Sequence, residues 1–221
     1  MLYIPLYFAE IFTLYFLSRK VIKLLFIFFY KLTHNKNLTV WIFSILFLPG
    51  TIIHELSHFL MAVALFVPVG KFEIFPEIID EGIKLGSVAI AKTDPIRRLF
   101  IGAAPFIFGN LIIFFTLYIP TQNNLLENWL YYLIIGYIVF QIGNTMFSSK
   151  KDLEGAWKAL VIFAAIFTSL FILRININWS FATSVNFINI IQKACLFLGL
   201  PIVIDTLIII MFSQFKWPLK K

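Results

Sequence analysis

The stretch VWIFSILFLPGTIIHELSHFLMAVALFV, residues 40–67, decides the fold. Its two flanks are as apolar as lipid tails, and His54, Glu55, Ser57 and His58 interrupt its middle. An apolar run of about 20 residues is long enough to cross a bilayer as a helix. Ionisable groups at that depth are costly, so two imidazoles and a carboxylate there mark a functional site. On a helix, residues i and i+4 share a face, so His54 and His58 can grip one metal ion. Glu55 stands beside them as a candidate general base, and H-E-x-x-H on a helix is the signature of zinc peptidases. Pro49 and Gly50 are expected to break the helix just before the motif, leaving Thr51 as its N-cap.

The whole chain is suited to a membrane. Of its 221 residues, 61% are hydrophobic and only 13% charged, and the mean hydropathy is +0.93. A soluble domain has about 45–50% apolar and about 25% charged residues. The chain therefore reads as an integral membrane protein whose partner is the lipid bilayer. The formal charge is +7. The basic residues gather in short loops between apolar runs, where they set topology and meet anionic headgroups, so nucleic acid is not an expected partner. Cys195 is the single cysteine, which excludes an intrachain disulfide and a cysteine zinc site, and it reads as a packing residue. Residues 1–17 lack a basic start and a small-residue cleavage site, and read as a retained anchor.

About six transmembrane helices are expected. Residues 2–17, carrying Glu10, form a short first candidate, interrupted by Ser18, Arg19 and Lys20. Residues 21–32 include Lys23 and Lys31 and read as a separate interfacial helix. The motif segment 39–67 is followed by candidate spans 99–119, 129–147, 156–173 and 188–213. In the connection 68–98, the flanks 71–75 and 85–92 alternate or are β-branched, with turn residues between, so a short β-hairpin is expected between the motif helix and the next span. The fold class is thus an all-α polytopic membrane protein with one hairpin. It divides into an N-terminal anchor and basic segment (1–38), a catalytic membrane core (39–173) and a C-terminal helix with a basic tail (174–221). Basic residues concentrate in loops 68–98 and 148–155 and in the tail 214–221, which places these on the cytoplasmic side. Segment 18–37 is also basic, and simple alternation would put it outside. Either it folds back or the N-terminal spans are differently counted.

A catalytic zinc ion takes three protein ligands and keeps one position open for water. His34 lies in a basic patch outside any span and reads as a surface residue. The carboxylates near apolar runs are Glu10, Asp152, Glu154 and Asp205, and spacing alone does not choose among them.

The pentapeptide HELSH in a membrane segment resembles the site-2 protease family of intramembrane zinc proteases. That family carries a second motif, N-x-x-P-x-x-x-L-D-G. Residues 144–152, NTMFSSKKD, keep its asparagine-to-aspartate spacing. They depart from it in Phe147 for the proline, Lys151 for the leucine and Leu153 for the glycine. The resemblance implies zinc as cofactor, with His54, His58 and Asp152 as ligands and Glu154 as the competitor of Asp152. It also implies Glu55 as the catalytic base. Gly102, Pro105, Gly109 and Asn110 are similar to the family's G-P-x-x-N segment, and the hairpin sits where members carry a membrane-dipping β-element. The likeness covers roughly residues 40–156.

The reaction so implied is hydrolysis of a peptide bond inside a transmembrane protein substrate. Such a substrate must unwind, and an edge strand of the hairpin could hold it by β-addition. Asn144 could bond its backbone or a developing oxyanion, with Asn110 as a second substrate-binding candidate. For both asparagines an interhelical polar contact is the plainer reading. A catalytically silent zinc-binding scaffold or a metal transporter is the alternative function. Transporters spread polar ligands over several spans, whereas this chain gathers them at one motif and retains Glu55. Every loop is too short for a recognition module, so access falls to the bundle, the hairpin or a regulatory membrane partner. Richness in Ile, Phe, Lys and Asn points to a prokaryotic cell membrane. The site is expected nearer the cytoplasmic face, because Asp152 adjoins Lys150 and Lys151.

Overall fold

The computed structural model describes residues 2–73, 76–79, 82–122, 129–147, 161, 162, 165, 168, 169, 172 and 184–213. These form helices α1 (Tyr3–Thr33), α2 (Lys36–Ala64), α3 (Pro95–Gln122), α4 (Trp129–Thr145) and α5 (Val185–Ser213). Four short strands lie between α2 and α3: β1 (Val69–Glu73), β2 (Glu77–Ile79), β3 (Gly82–Lys84) and β4 (Ser87–Ile90). Val161, Ile162, Ala165, Thr168, Ser169 and Ile172, within the expected span 156–173, are also helical. The rest of that span, loop 148–155 and the tail 214–221 lie outside the described residues.

Three of the described helices, α2, α3 and α5, are long and apolar enough to cross a membrane. α4 has 17 residues, about 26 Å at 1.5 Å per residue, the short limit of a span. α1 carries Glu10, Arg19, Lys20, Lys23 and Lys31 along its length. Apolar clusters such as Val21, Phe43, Phe47 and Phe140 fill the interior, and the buried polar side chains lie among them. Thr39, Ser44, Thr51, Gln141, Asn144, Thr145 and Asp205 are buried, while Phe12, Ile45, Leu111, Leu196 and Leu207 face outward. Exposed apolar faces, with the polar side chains turned inward, suit a lipid solvent.

The N-terminal third differs from its expected division. Instead of an anchor and a separate interfacial helix, α1 runs unbroken for 31 residues. Arg and Lys are good helix formers, and no Gly or Pro follows Pro5 in this helix. Ser18 is satisfied locally by donating to the Tyr15 carbonyl at 2.9 Å. Arg19 reaches the turn after α4, where its Nη2 donates to the Phe147 carbonyl at 3.2 Å. The helix stops at His34, whose left-handed backbone (φ 51°) lets its N–H bond Tyr30. Asn35 then caps α2 by accepting from the N–H groups of Asn37 and Leu38.

The expected break at Pro49 and Gly50 is likewise absent. α2 begins at Lys36, so Thr51 is an interior residue whose hydroxyl donates to the Phe47 carbonyl at 3.0 Å. Pro49 leaves the Ile45 carbonyl without its i+4 donor, and polar groups of neighbouring helices support the backbone at such a point in a membrane bundle. The next carbonyl, that of Leu46, accepts from Tyr137 Oη at 2.9 Å and Gln141 Nε2 at 2.8 Å, both on α4. Gly50 makes the approach possible. A Cβ there would stand 2.7 Å from Thr145 Cγ2 and 2.9 Å from the Gln141 carbonyl oxygen. We expect Gly50→Val to force the helices apart, with a loss of about 1–3 kcal/mol, read as a lowered Tm in detergent. An unchanged Tm would mean that the α2–α4 crossing yields without cost.

The expected hairpin is present as two antiparallel ladders. β1 pairs with β4 (Phe72 opposite Val88, Glu73 opposite Ser87), with a bulge between Val69 and Phe72. β2 pairs with β3, Ile78 opposite Ile83. At the end of α2 the Val67 N–H bonds the Ala62 carbonyl and Phe66 takes a positive φ of 56°. The chain thereby reverses, and the strands return along α2. α3 begins at Pro95, earlier than its expected start. Asp94 accepts from the backbone N–H groups of Ile96 and Arg97. The Arg97 N–H in particular holds the Asp94 carboxyl below its ordinary range. This contribution is complete above the ordinary Asp pKa and is lost as pH falls through the lowered one.

Candidate metal centre

α2 brings the motif's three polar side chains to one level of the bundle. His54 and His58 are 5% and 8% exposed, whereas Leu56 between them is 41% exposed and faces outward. Glu55 is half-buried beside the pair. The two Nε2 atoms lie 3.3 Å apart, with the rings at 87° to each other. His58 Nδ1 is 2.7 Å from the Ile101 carbonyl oxygen of α3. A carbonyl only accepts, so Nδ1 carries the proton and Nε2 keeps its lone pair directed at His54.

This geometry fits a zinc ion. Two nitrogens held tetrahedrally at about 2.0–2.1 Å from a metal lie about 3.3 Å apart. A metal-binding histidine is usually fixed by a bond from its other ring nitrogen, which is the Ile101 contact here. Among the described residues no third His, Cys, Asp or Glu completes a set of three. Of the four candidate carboxylates, Asp205 is bonded to Asn144 instead, and Glu10 does not join the histidines. Asp152 and Glu154 lie outside the described residues.

The hairpin reaches this level of α2. A Cβ on Gly86, between β3 and β4, would stand 2.9 Å from Thr51 Cγ2 and 3.2 Å from Glu55 Cγ. The neighbouring Leu85 packs on the cluster of Val21, Phe43, Phe47 and Phe140. Glu55 is thus flanked by backbone that only glycine allows so close.

The two asparagines are engaged between helices. Asn144 is fully buried, and its Nδ2 donates to the Phe140 carbonyl at 3.0 Å and to Asp205 Oδ1 of α5 at 2.8 Å. Asn110 Oδ1 accepts from Tyr7 Oη of α1 at 2.9 Å, and its Nδ2 donates to the Phe106 carbonyl at 2.8 Å. Phe147, at the position where the resembled motif has proline, is buried at the end of α4 with its ring edge-on to Tyr15. Sequence reading missed the close packing at Gly50, and it missed Gly86, the Ile101 carbonyl and the Arg19–Phe147 bond. The glycines carried the only local signal, one placed a turn before His54 and the other at the hairpin's inner end.

A comparison of the chain with protein-family models, with curated proteins and with solved structures found no match.

Proposed function

We propose that this chain is a zinc-dependent endopeptidase of the site-2 protease kind, cutting transmembrane protein substrates within the bilayer of a prokaryotic cell. The observation that supports the reading is the His54–His58 pair. Its Nε2 atoms are 3.3 Å apart on an apolar helix long enough to span, with His58 fixed by the Ile101 carbonyl. His54 and His58 would hold the ion with Asp152 as third ligand and Glu154 as its competitor. A bound zinc ion lowers the pKa of a water and polarises a carbonyl. Glu55, one residue from His54, takes the proton of the attacking water and returns it to the leaving amine. Six spans, with the basic loops on the cytoplasmic side, complete the proposed topology. This puts the site nearer that face, where water can reach it.

The test uses the purified full chain in liposomes with a reporter transmembrane helix. Cleavage inside the helix should appear by mass spectrometry, stop on chelation and return with zinc. Zinc-loaded protein that leaves a range of reporter helices intact would favour the silent scaffold instead.

A further inference from the structure

Pro105 stands buried in the interior of α3, where proline ordinarily weakens a helix. It has no N–H, so the carbonyl four residues before it loses its helical donor, and its ring presses on that same carbonyl. The residue four before Pro105 is Ile101. The carbonyl that Pro105 releases is therefore the one that meets His58 Nδ1 at 2.7 Å.

The release answers a need on each side. Ile101 is 5% exposed. A buried carbonyl without a donor is costly, the more so where no water can replace the donor. His58 Nδ1–H supplies it. In return the carbonyl holds the proton on Nδ1, and Nε2 keeps its lone pair on the side of His54. A neutral imidazole without such a partner can carry its proton on either nitrogen. A proton on Nε2 would close the atom that faces His54. The level of Ile101 on α2 is set separately, because its side chain packs with Ala62, one turn beyond His58, and with Val67.

We propose that Pro105 is a positioning residue of the metal centre. By withholding an N–H from the Ile101 carbonyl, it keeps that carbonyl for His58 and so fixes the tautomer in which Nε2 can bind zinc. The inference rests on the zinc reading of the His54–His58 pair, and Pro105 acts only through His58.

The experiment uses the purified full chain in detergent. Zinc affinity is measured by competition with a chelating dye. The imidazole nitrogens of the metal-free protein are read by NMR at about pH 8, where an ordinary histidine is neutral, with His58→Ala assigning the His58 signals. Two variants are compared: Pro105→Ala, and the ester analogue of alanine (lactic acid) placed at position 105 by nonsense suppression. They share a side chain, and only the first has an N–H to offer Ile101. Pro105→Ala should weaken zinc binding about tenfold, the low end of what an altered outer partner costs a metal site, because the carbonyl is then shared with residue 105. It should also move part of the His58 proton from Nδ1 to Nε2. The ester variant should keep the wild-type affinity and the wild-type tautomer. A wild-type affinity in Pro105→Ala, an ester variant as weak as Pro105→Ala, or a His58 proton on Nε2 in the wild type would each overturn the proposal. Where Pro105→Ala does not fold, the ester variant and the wild-type tautomer decide by the same criteria. A wild type that takes up no zinc overturns the zinc reading and this inference together. A wild type that binds zinc and loses it in His58→Ala, with affinity unmoved in Pro105→Ala, overturns this inference alone.

Discussion

Glu55→Gln should hold its zinc and lose its cleavage. The substitution keeps the size of the side chain, so the packing of Thr51, Gly86 and residue 55 is preserved. What disappears is the only proton acceptor that the motif places beside the two histidines. A glutamine amide does not accept a proton at neutral pH. General base catalysis is worth about 10²–10⁴ in rate, so kcat should fall by at least about a hundredfold with metal content unchanged. Wild-type cleavage by the variant would remove Glu55 from the mechanism. Loss of zinc would instead make Glu55 part of the metal's support.

His54→Ala and His58→Ala should each empty the site of metal. Each removes one of two nitrogens already set at the spacing of a tetrahedral ion, and two remaining ligands hold zinc poorly. Metal analysis should fall from about one zinc per chain to near none, and no cleavage should survive. His58→Ala should also lower Tm, because it strips the Ile101 carbonyl of α3 of its buried partner. His54→Ala should leave that contact in place. Asp152→Ala and Glu154→Ala, measured alongside, choose the third ligand: the variant that loses zinc identifies it. Full zinc occupancy in both histidine variants would mean that the pentapeptide is not the metal site.

Much of this arrangement was legible locally. The H-E-x-x-H spacing gave the shared face of His54 and His58, because helical period alone decides it. The alternation in 71–92 gave the hairpin. The failures share one cause: a local signal was overruled by a distant partner. Pro49 and Gly50 read as a break, yet Tyr137 and Gln141, about ninety residues on, supply donors to the Leu46 carbonyl, and Thr145 packs where a side chain would sit. Arg19 and Lys20 read as an interruption, yet the turn after α4 gives Arg19 a partner. Asp205 stood as one of four carboxylates near apolar runs, and spacing did not name Asn144, 61 positions away, as its partner. Helix-to-helix bonds of this kind follow from three-dimensional register, which residue types and short spacings do not carry.

The hairpin's contact with α2 also constrains where water lies. Gly86 sits level with Thr51 and Glu55, 13 and nine residues before the helix ends at Ala64, a descent of about 14–20 Å at 1.5 Å per residue. A two-stranded ladder satisfies only the backbone groups between its strands, and its outer edges still carry unpaired N–H and C=O groups. Hydrocarbon cannot solvate them. With α2 across a bilayer, the outer edges of β1 and β4 must therefore border water or other polypeptide. Where that border is water, the hairpin walls a hydrated inlet that reaches the level of Glu55.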